Sequence, residues 1–318
     1  MIRILHRIKR FLRDKAVAVK NAIVGAVAVG LLRTTRRFDA EKTGDFFAKI
    51  TRTIGPWWRE HRVARANLTA AFPEKSPDEI EQILSGVWDN LGRIGAEFAH
   101  LDHIWKYDPA TPETNSVEFT PQTEALFQEL KNDGKGALIF ASHLGNWELP
   151  ALAAATHGLD SAVLFRRPNI AAADRAVQEL RSVNMGEMIA TTHDAPIKLA
   201  AALQRGVHIG MLVDQHFGRG VDVMFFGRKV KANPLLARLV RQIDCPIHGV
   251  RVVRLPNRRF RVDLTERIAR RRAMRSVARA SNGCGCTAAG GEYFRTLLVC
   301  HCRARTLRRN ARRPPRRR

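Results

Sequence analysis

The run Gly136-Ala137-Leu138-Ile139-Phe140-Ala141-Ser142 constrains this chain more than any other segment. It is short, apolar and bounded by Asn132-Asp133-Gly134 on one side and Gly145-Asn146 on the other, which predicts a buried strand ending in a turn. Beyond the turn, Glu148 to Ala155 reads as the opening of a helix, with Pro150 tolerated in its first turn. The unit is therefore strand, turn, helix. His143 stands at the strand's C-terminal end, where open α/β sheets place their ligands.

Five residues on, Glu148 supplies a carboxylate that the spacing predicts to meet the second ring nitrogen of His143, fixing its tautomer and stabilising imidazolium. Such a pair is a general base with its orienter. The motif holds no nucleophile on the same side, because Ser142 points to the opposite side of a strand from His143. That arrangement suits activation of a substrate hydroxyl rather than a covalent enzyme intermediate.

Further strands are expected at Ser161 to Phe165, Val207 to Val213, Ile247 to Val253 and Arg259 to Leu264, and helices at Ala171 to Val183, Ala195 to Gln204 and Pro234 to Gln242. This alternation predicts an α/β fold with a largely parallel, mixed sheet flanked by helices. Upstream, 39–108 reads as helical, with Phe46, Phe47 and Ile50 spaced for one face. Ser76 or Asp78 is available to cap a helix from Glu79 to Phe98. Asp108 to Pro121 reads as a loop before a helix from Glu124 to Leu130. Trp57, Trp58, Trp88 and Trp105 read as core or interface packing, with an acyl-chain groove as their alternative use.

The stretch Ser142 to Glu148, followed in order by Phe165-Arg166-Arg167-Pro168-Asn169, Val213-Asp214-Gln215 and Phe225-Phe226-Gly227, resembles the late acyltransferases of lipid A biosynthesis, the lauroyl/myristoyl transferase family. The resemblance runs from near the N-terminus to about Ile268. It implies acyl transfer from an acyl carrier protein thioester to a hydroxyl of a phosphorylated lipid A precursor, with no metal or organic cofactor. His143 and Glu148 take the catalytic positions in that pattern. Arg167, Arg181 and Asp214 fall at substrate-binding positions, the two arginines suited to phosphate and Asp214 to orienting a hydroxyl or holding an Arg. A glycerolipid acyltransferase would use a similar dyad, but that group's pattern has Asp as the acid and a Pro-Glu-Gly-type block, where this chain has Asp214-Gln215.

Ala16 to Leu32 is an apolar stretch interrupted only by Lys20 and Asn21 and preceded by Arg3, Arg7, Lys9, Arg10, Arg13 and Lys15. As a helix its seventeen residues span about 25 Å, short of the roughly 30 Å hydrocarbon core. Arg33, Arg36 and Arg37 follow where a secretory signal would have a small-residue cleavage site. We expect residues 1–38 to be an uncleaved anchor or interfacial helix, its basic residues on anionic headgroups. The resemblance implies the inner membrane, with the catalytic domain of 39–268 on the cytoplasmic side.

The net charge of +24 is unevenly placed. Residues 267 to 318 hold sixteen Arg, no Lys and one acid, Glu292, so this tail carries +15; the other 266 residues have 38 basic and 29 acidic residues, or +9. A nucleic-acid-binding arm is the reading charge alone suggests. Arg used sixteen times beside a body rich in Lys instead reads as a GC-rich gene translated in a shifted frame after about Arg267. Cys284-Gly285-Cys286 and Cys300-His301-Cys302 lie in that tail and lack the usual spacing of structural zinc sites, so no metal or nucleic-acid partner is expected.

Overall fold

The computed structural model of the chain describes residues 2–168 and 185–269, together with Asp174, Arg175, Gln178, Glu179 and Arg181. The expected helix at Ala171 to Val183 falls mostly outside the described residues, and the Arg-rich tail with its C-x-C pairs lies outside them from residue 270 onward.

The N-terminal third is helical for reasons visible residue by residue. After α1 (Ile2–Thr35), Asp39 accepts the backbone N–H groups of Glu41 and Lys42 and so starts α2 (Ala40–Ile54). A 3₁₀ turn (Gly55–Trp57) leads into α3 (Arg59–Ala71). Ser76 and Glu79 then form a reciprocal capping box at the start of α4 (Pro77–Glu97), which settles the cap on Ser76 rather than Asp78. Leu68, Phe72, Ile80 and Leu84 pack α3 on α4, and the single turn α5 (Leu101–Ile104) follows.

In this region the expected face of α2 is not the buried one, and core packing, one of the two readings of the tryptophans, does not hold for Trp57. Phe46 and Trp57 are exposed, because the buried stripe of α2 runs through Thr43, Gly44 and Ala48 and Trp57 caps a surface corner. Only Trp88 of the four tryptophans is buried. The apolar part of α1 packs on little: Ile23, Val24, Val27 and Leu31 are exposed. Among the described residues, no helix is long and apolar enough to cross a membrane.

The rest of the chain builds a seven-stranded sheet in the order β1-β9-β8-β2-β5-β3-β4. Its strands are β1 (Val117–Phe119), β2 (Leu138–Ala141), β3 (Ser161–Phe165), β4 (Glu187–Ala190), β5 (His208–Leu212), β8 (Ile247–Arg254) and β9 (Phe260–Leu264). Every pairing is parallel except β8 with β9. The hairpin β6 (Val221–Phe225) and β7 (Arg228–Ala232) stands apart as a two-stranded sheet. The largely parallel α/β sheet is thus present; β1 appears where a loop was expected and β4 where nothing was. Both are three or four residues long and pair at the sheet's margins, too short to register as periodicity.

Helices cover both faces. α6 (Pro121–Asn132) and α7 (Leu149–Thr156) pack Phe127, Leu130, Leu149 and Leu152 against Val250, Val252 and Val262. Against Leu138, Ile209 and Ile247 lie α8 (Ala195–Gln204) and α9 (Leu235–Gln242), through Leu199, Leu203, Leu236 and Leu239. Successive side chains of a strand point to opposite faces, which is how Ile247 and Val250 of one strand serve two cores.

Candidate active site

The register of the central strands brings the site together. β2 pairs with β5 so that Ala141 lies opposite Leu212; two residues further along each chain stand His143 and Asp214. β3 joins β5 on its other side with Leu164 opposite Met211, and three residues on stand Arg167 and Asp214. His143, Asp214 and Arg167 therefore occupy one line along the sheet's C-terminal edge. Both Arg166 and Arg167 are exposed there, just past the end of β3.

Asp214, wholly buried at its side chain, holds His143 twice. Its Oδ1 is 2.8 Å from the ring Nδ1, and its Oδ2 accepts the backbone N–H of His143 at 3.0 Å. Burial pushes the Asp214 carboxyl up, but the His143 hydrogen bonds and the ring's charge outweigh it and hold the carboxyl below the usual carboxylate range. An ionised Asp214 accepts from Nδ1–H, so the neutral ring presents the lone pair of Nε2. This tautomer follows from the hydrogen-bond network. Nε2 lies 3.3 Å from the exposed Gln215 amide nitrogen, and Trp147 meets the ring edge-on with centroids 4.9 Å apart.

Glu148 does not orient the ring, contrary to the expectation from spacing. Its two oxygens take Nε and Nη2 of Arg181 at 3.0 and 2.5 Å as a fork, while the two ring nitrogens of His143 face Asp214 and Gln215. The reason is local: Glu148 is the residue before α7, and the chain turns at Gly145 so that its side chain faces Arg181, whose guanidinium also lies 5.4 Å over the Phe98 ring. Arg181 is thus brought to the motif, though as the partner of Glu148.

The turn itself is anchored from outside the motif by residues the sequence did not single out. Gly145 has φ +54° and sits against the Val252 carbonyl, where a Cβ would collide. Asn90 of α4 donates to the Gly145 carbonyl at 3.1 Å. Asn146, fully buried, donates to Glu97 at 3.0 Å and accepts the Glu148 backbone N–H at 3.1 Å. Arg254, the last residue of β8, closes the network by binding both oxygens of Glu97, at 2.5 and 3.0 Å, and Asn90 Oδ1 at 3.2 Å. A Glu at a helix end and an Arg at a strand end, separated by more than a hundred residues, carry no motif; only their burial reveals them.

His216 follows Gln215 two residues past Asp214, while two further histidines stand away from this edge. His208 and His248 are buried at the start of β5 and β8, and His248 bonds the Thr265 carbonyl. Among the described residues, no group of three His, Cys, Asp or Glu side chains could hold a metal ion.

A helix-flanked, mostly parallel sheet whose C-terminal edge carries a buried carboxylate, a histidine held by it with Nε2 facing Gln215, and an exposed arginine has the parts of a general-base transferase. The sequence relationship makes this specific: a model of the bacterial lipid A biosynthesis acyltransferases matches residues 13–278, and the chain belongs to that family of acyltransferases. The match extends past Ile268 into the Arg-rich segment, further than the ordered motifs reach. No curated protein matches the chain.

Proposed function

We propose that this protein moves a fatty acyl chain from an acyl carrier protein thioester to a hydroxyl on an acyl chain of a phosphorylated lipid A precursor. The observation that supports the reading is the His143–Asp214 pair at 2.8 Å, with Nε2 turned to Gln215 at the sheet edge, in a chain of the lipid A acyltransferase family. His143 Nε2 takes the hydroxyl proton as the oxygen attacks the thioester carbonyl; the tetrahedral intermediate collapses with loss of the thiolate, which recovers the proton from the imidazolium. Asp214 keeps the ring in its reactive tautomer and stabilises its charged form. Arg167 binds a phosphate of the acceptor. Glu148 acts by holding Arg181 beside the site.

The N-terminal helix keeps the chain on the cytoplasmic face of the inner membrane, where its exposed apolar residues between Val17 and Leu31 lie at the lipid boundary. The tail beyond residue 278, where the family match ends, is the product of a shifted reading frame, a reading carried by eleven Arg without a Lys. Resequencing the gene from the codon for Glu266 to beyond that for residue 278 tests it; an intact frame overturns it.

The functional test is acyl transfer from a set of acyl carrier protein thioesters, with a lipid A precursor or glycerol 3-phosphate as acceptor, in membranes containing the wild-type chain or His143→Ala. Transfer to the lipid A precursor that His143→Ala abolishes at equal abundance is the expected result. Transfer only to glycerol 3-phosphate, or activity that survives the substitution, overturns the reading.

A further inference from the structure

The corner between α2 and α3 exposes three aromatic side chains. Trp57 is 79% exposed and Trp58 50%, beside Pro56. Phe46 is 60% exposed and belongs to the outward stripe Lys42, Phe46, Lys49 and Thr53 of α2, whose next step at helical spacing is Trp57. This aromatic edge is built rigidly. Gly55 is buried against the Trp88 ring, Trp58 donates its N–H to the Gly55 carbonyl at 3.0 Å and meets Trp88 edge-on, and Trp88 donates its indole N–H to His61 Nδ1 at 3.0 Å.

The exposed charges around it are mostly cationic, with Glu60 in the first turn of α3 the opposing acid. Lys42, Lys49 and Arg62 are exposed and have no ion-pair partner among the described residues. The acids of the same stretch, Glu41 and Asp45, are already taken by Arg258, with Arg93 also on Asp45. Indole rings favour the boundary between water and lipid, and unpaired cations beside them favour anionic headgroups.

We propose that Trp57, with Phe46 and Trp58, is a second membrane contact that inserts into the interface of an anionic bilayer, so that the helical subdomain is held to lipid at its α2–α3 corner as well as by α1. The proposal rests on the membrane association stated above. Lys42, Lys49 and Arg62 supply the preference for anionic lipid.

The test uses the full chain reconstituted with vesicles of phosphatidylethanolamine and phosphatidylglycerol. Flotation reports membrane association as such. Tryptophan emission is compared between wild type and Trp57→Phe, which keeps an aromatic ring and removes the reporter, so the difference is the emission of Trp57. With brominated acyl chains in the vesicles, that difference is expected to lose most of its intensity while aqueous iodide leaves it unchanged, and replacing Lys42, Lys49 and Arg62 by Glu is expected to restore it. A chain that floats while Trp57 is quenched by iodide and not by bromine overturns the second contact and leaves the association by α1 standing. Shielding from both quenchers points to a partner copy on this face and overturns it as well. Failure to float overturns the membrane reading and this proposal together.

Discussion

His143 Nδ1 lies 2.8 Å from Asp214 Oδ1, although seventy-one positions separate the two residues in the chain, while Glu148, five residues from the histidine, is bound to Arg181. Strand pairing, with Ala141 opposite Leu212, outweighs sequence proximity in choosing the partner of the ring. Two chemically different tasks are thereby separated. One carboxylate governs a proton acceptor; the other governs a guanidinium.

Asp214→Asn should reduce acyl transfer about 10²–10⁴-fold, on the scale of general-base catalysis, with the chain still folded. The double variant with His143→Ala should be no worse than His143→Ala alone, because the two residues act as a unit. Rates at saturating substrate, set beside thermal unfolding, check this. Additive losses would separate the pair.

Breaking the Glu148–Arg181 fork from either side should cost about 2–4 kcal/mol of stability, since a mostly buried charge is left without its partner. Glu148→Ala combined with Arg181→Ala should cost less than the sum of the two. A double-mutant cycle from denaturant unfolding measures it, and Arg181→Lys should recover only part of the loss, because an ammonium cannot form the fork.

Asn146→Ala removes one bond to Glu97 and one to the Glu148 backbone at a fully buried position, at a cost of about 1–3 kcal/mol. Because the loop it anchors carries His143 and Glu148, the rate at saturating substrate should fall while apparent substrate affinity changes little. Steady-state kinetics on stable preparations check the split.

Burial pushes the His208 imidazole below its usual range, against the opposing pull of Asp133 and Asp160. The unfolded chain therefore takes up a proton at this position before the folded one does. Stability should fall as pH drops through the ordinary histidine value of 6.5. Asp214 has the opposite kind of titration, its folded carboxyl held low, so its contribution is complete above 3.8 and is lost only as pH falls further toward the folded value. Thermal unfolding between about pH 7 and about pH 5 should show a shallower decline in His208→Asn than in wild type, and the pH-dependent loss due to Asp214 should appear only when the series is extended below 3.8.

The sequence by itself determined the strand–turn–helix unit around His143 and the alternating strands and helices from Ser161 onward, while Glu148, Arg167, Arg181 and Asp214 were named as site candidates chiefly through the resemblance. Those readings depend on short-range facts: apolar runs, turn residues, cap candidates such as Ser76 or Asp78, and motifs in order. β1 and β4 escaped because a three- or four-residue strand at a sheet margin has no period to detect. The exposure of Phe46 and Trp57 escaped because apolar character predicts burial without saying which face finds a partner. Only the tertiary structure decided that Asp214 serves His143, that Glu148 serves Arg181, and that Glu97, Asn90 and Arg254 pin the turn at Gly145. Those pairings are set by the register of parallel strands and by the need of each buried charge for an opposite one, and neither constraint is local in the chain.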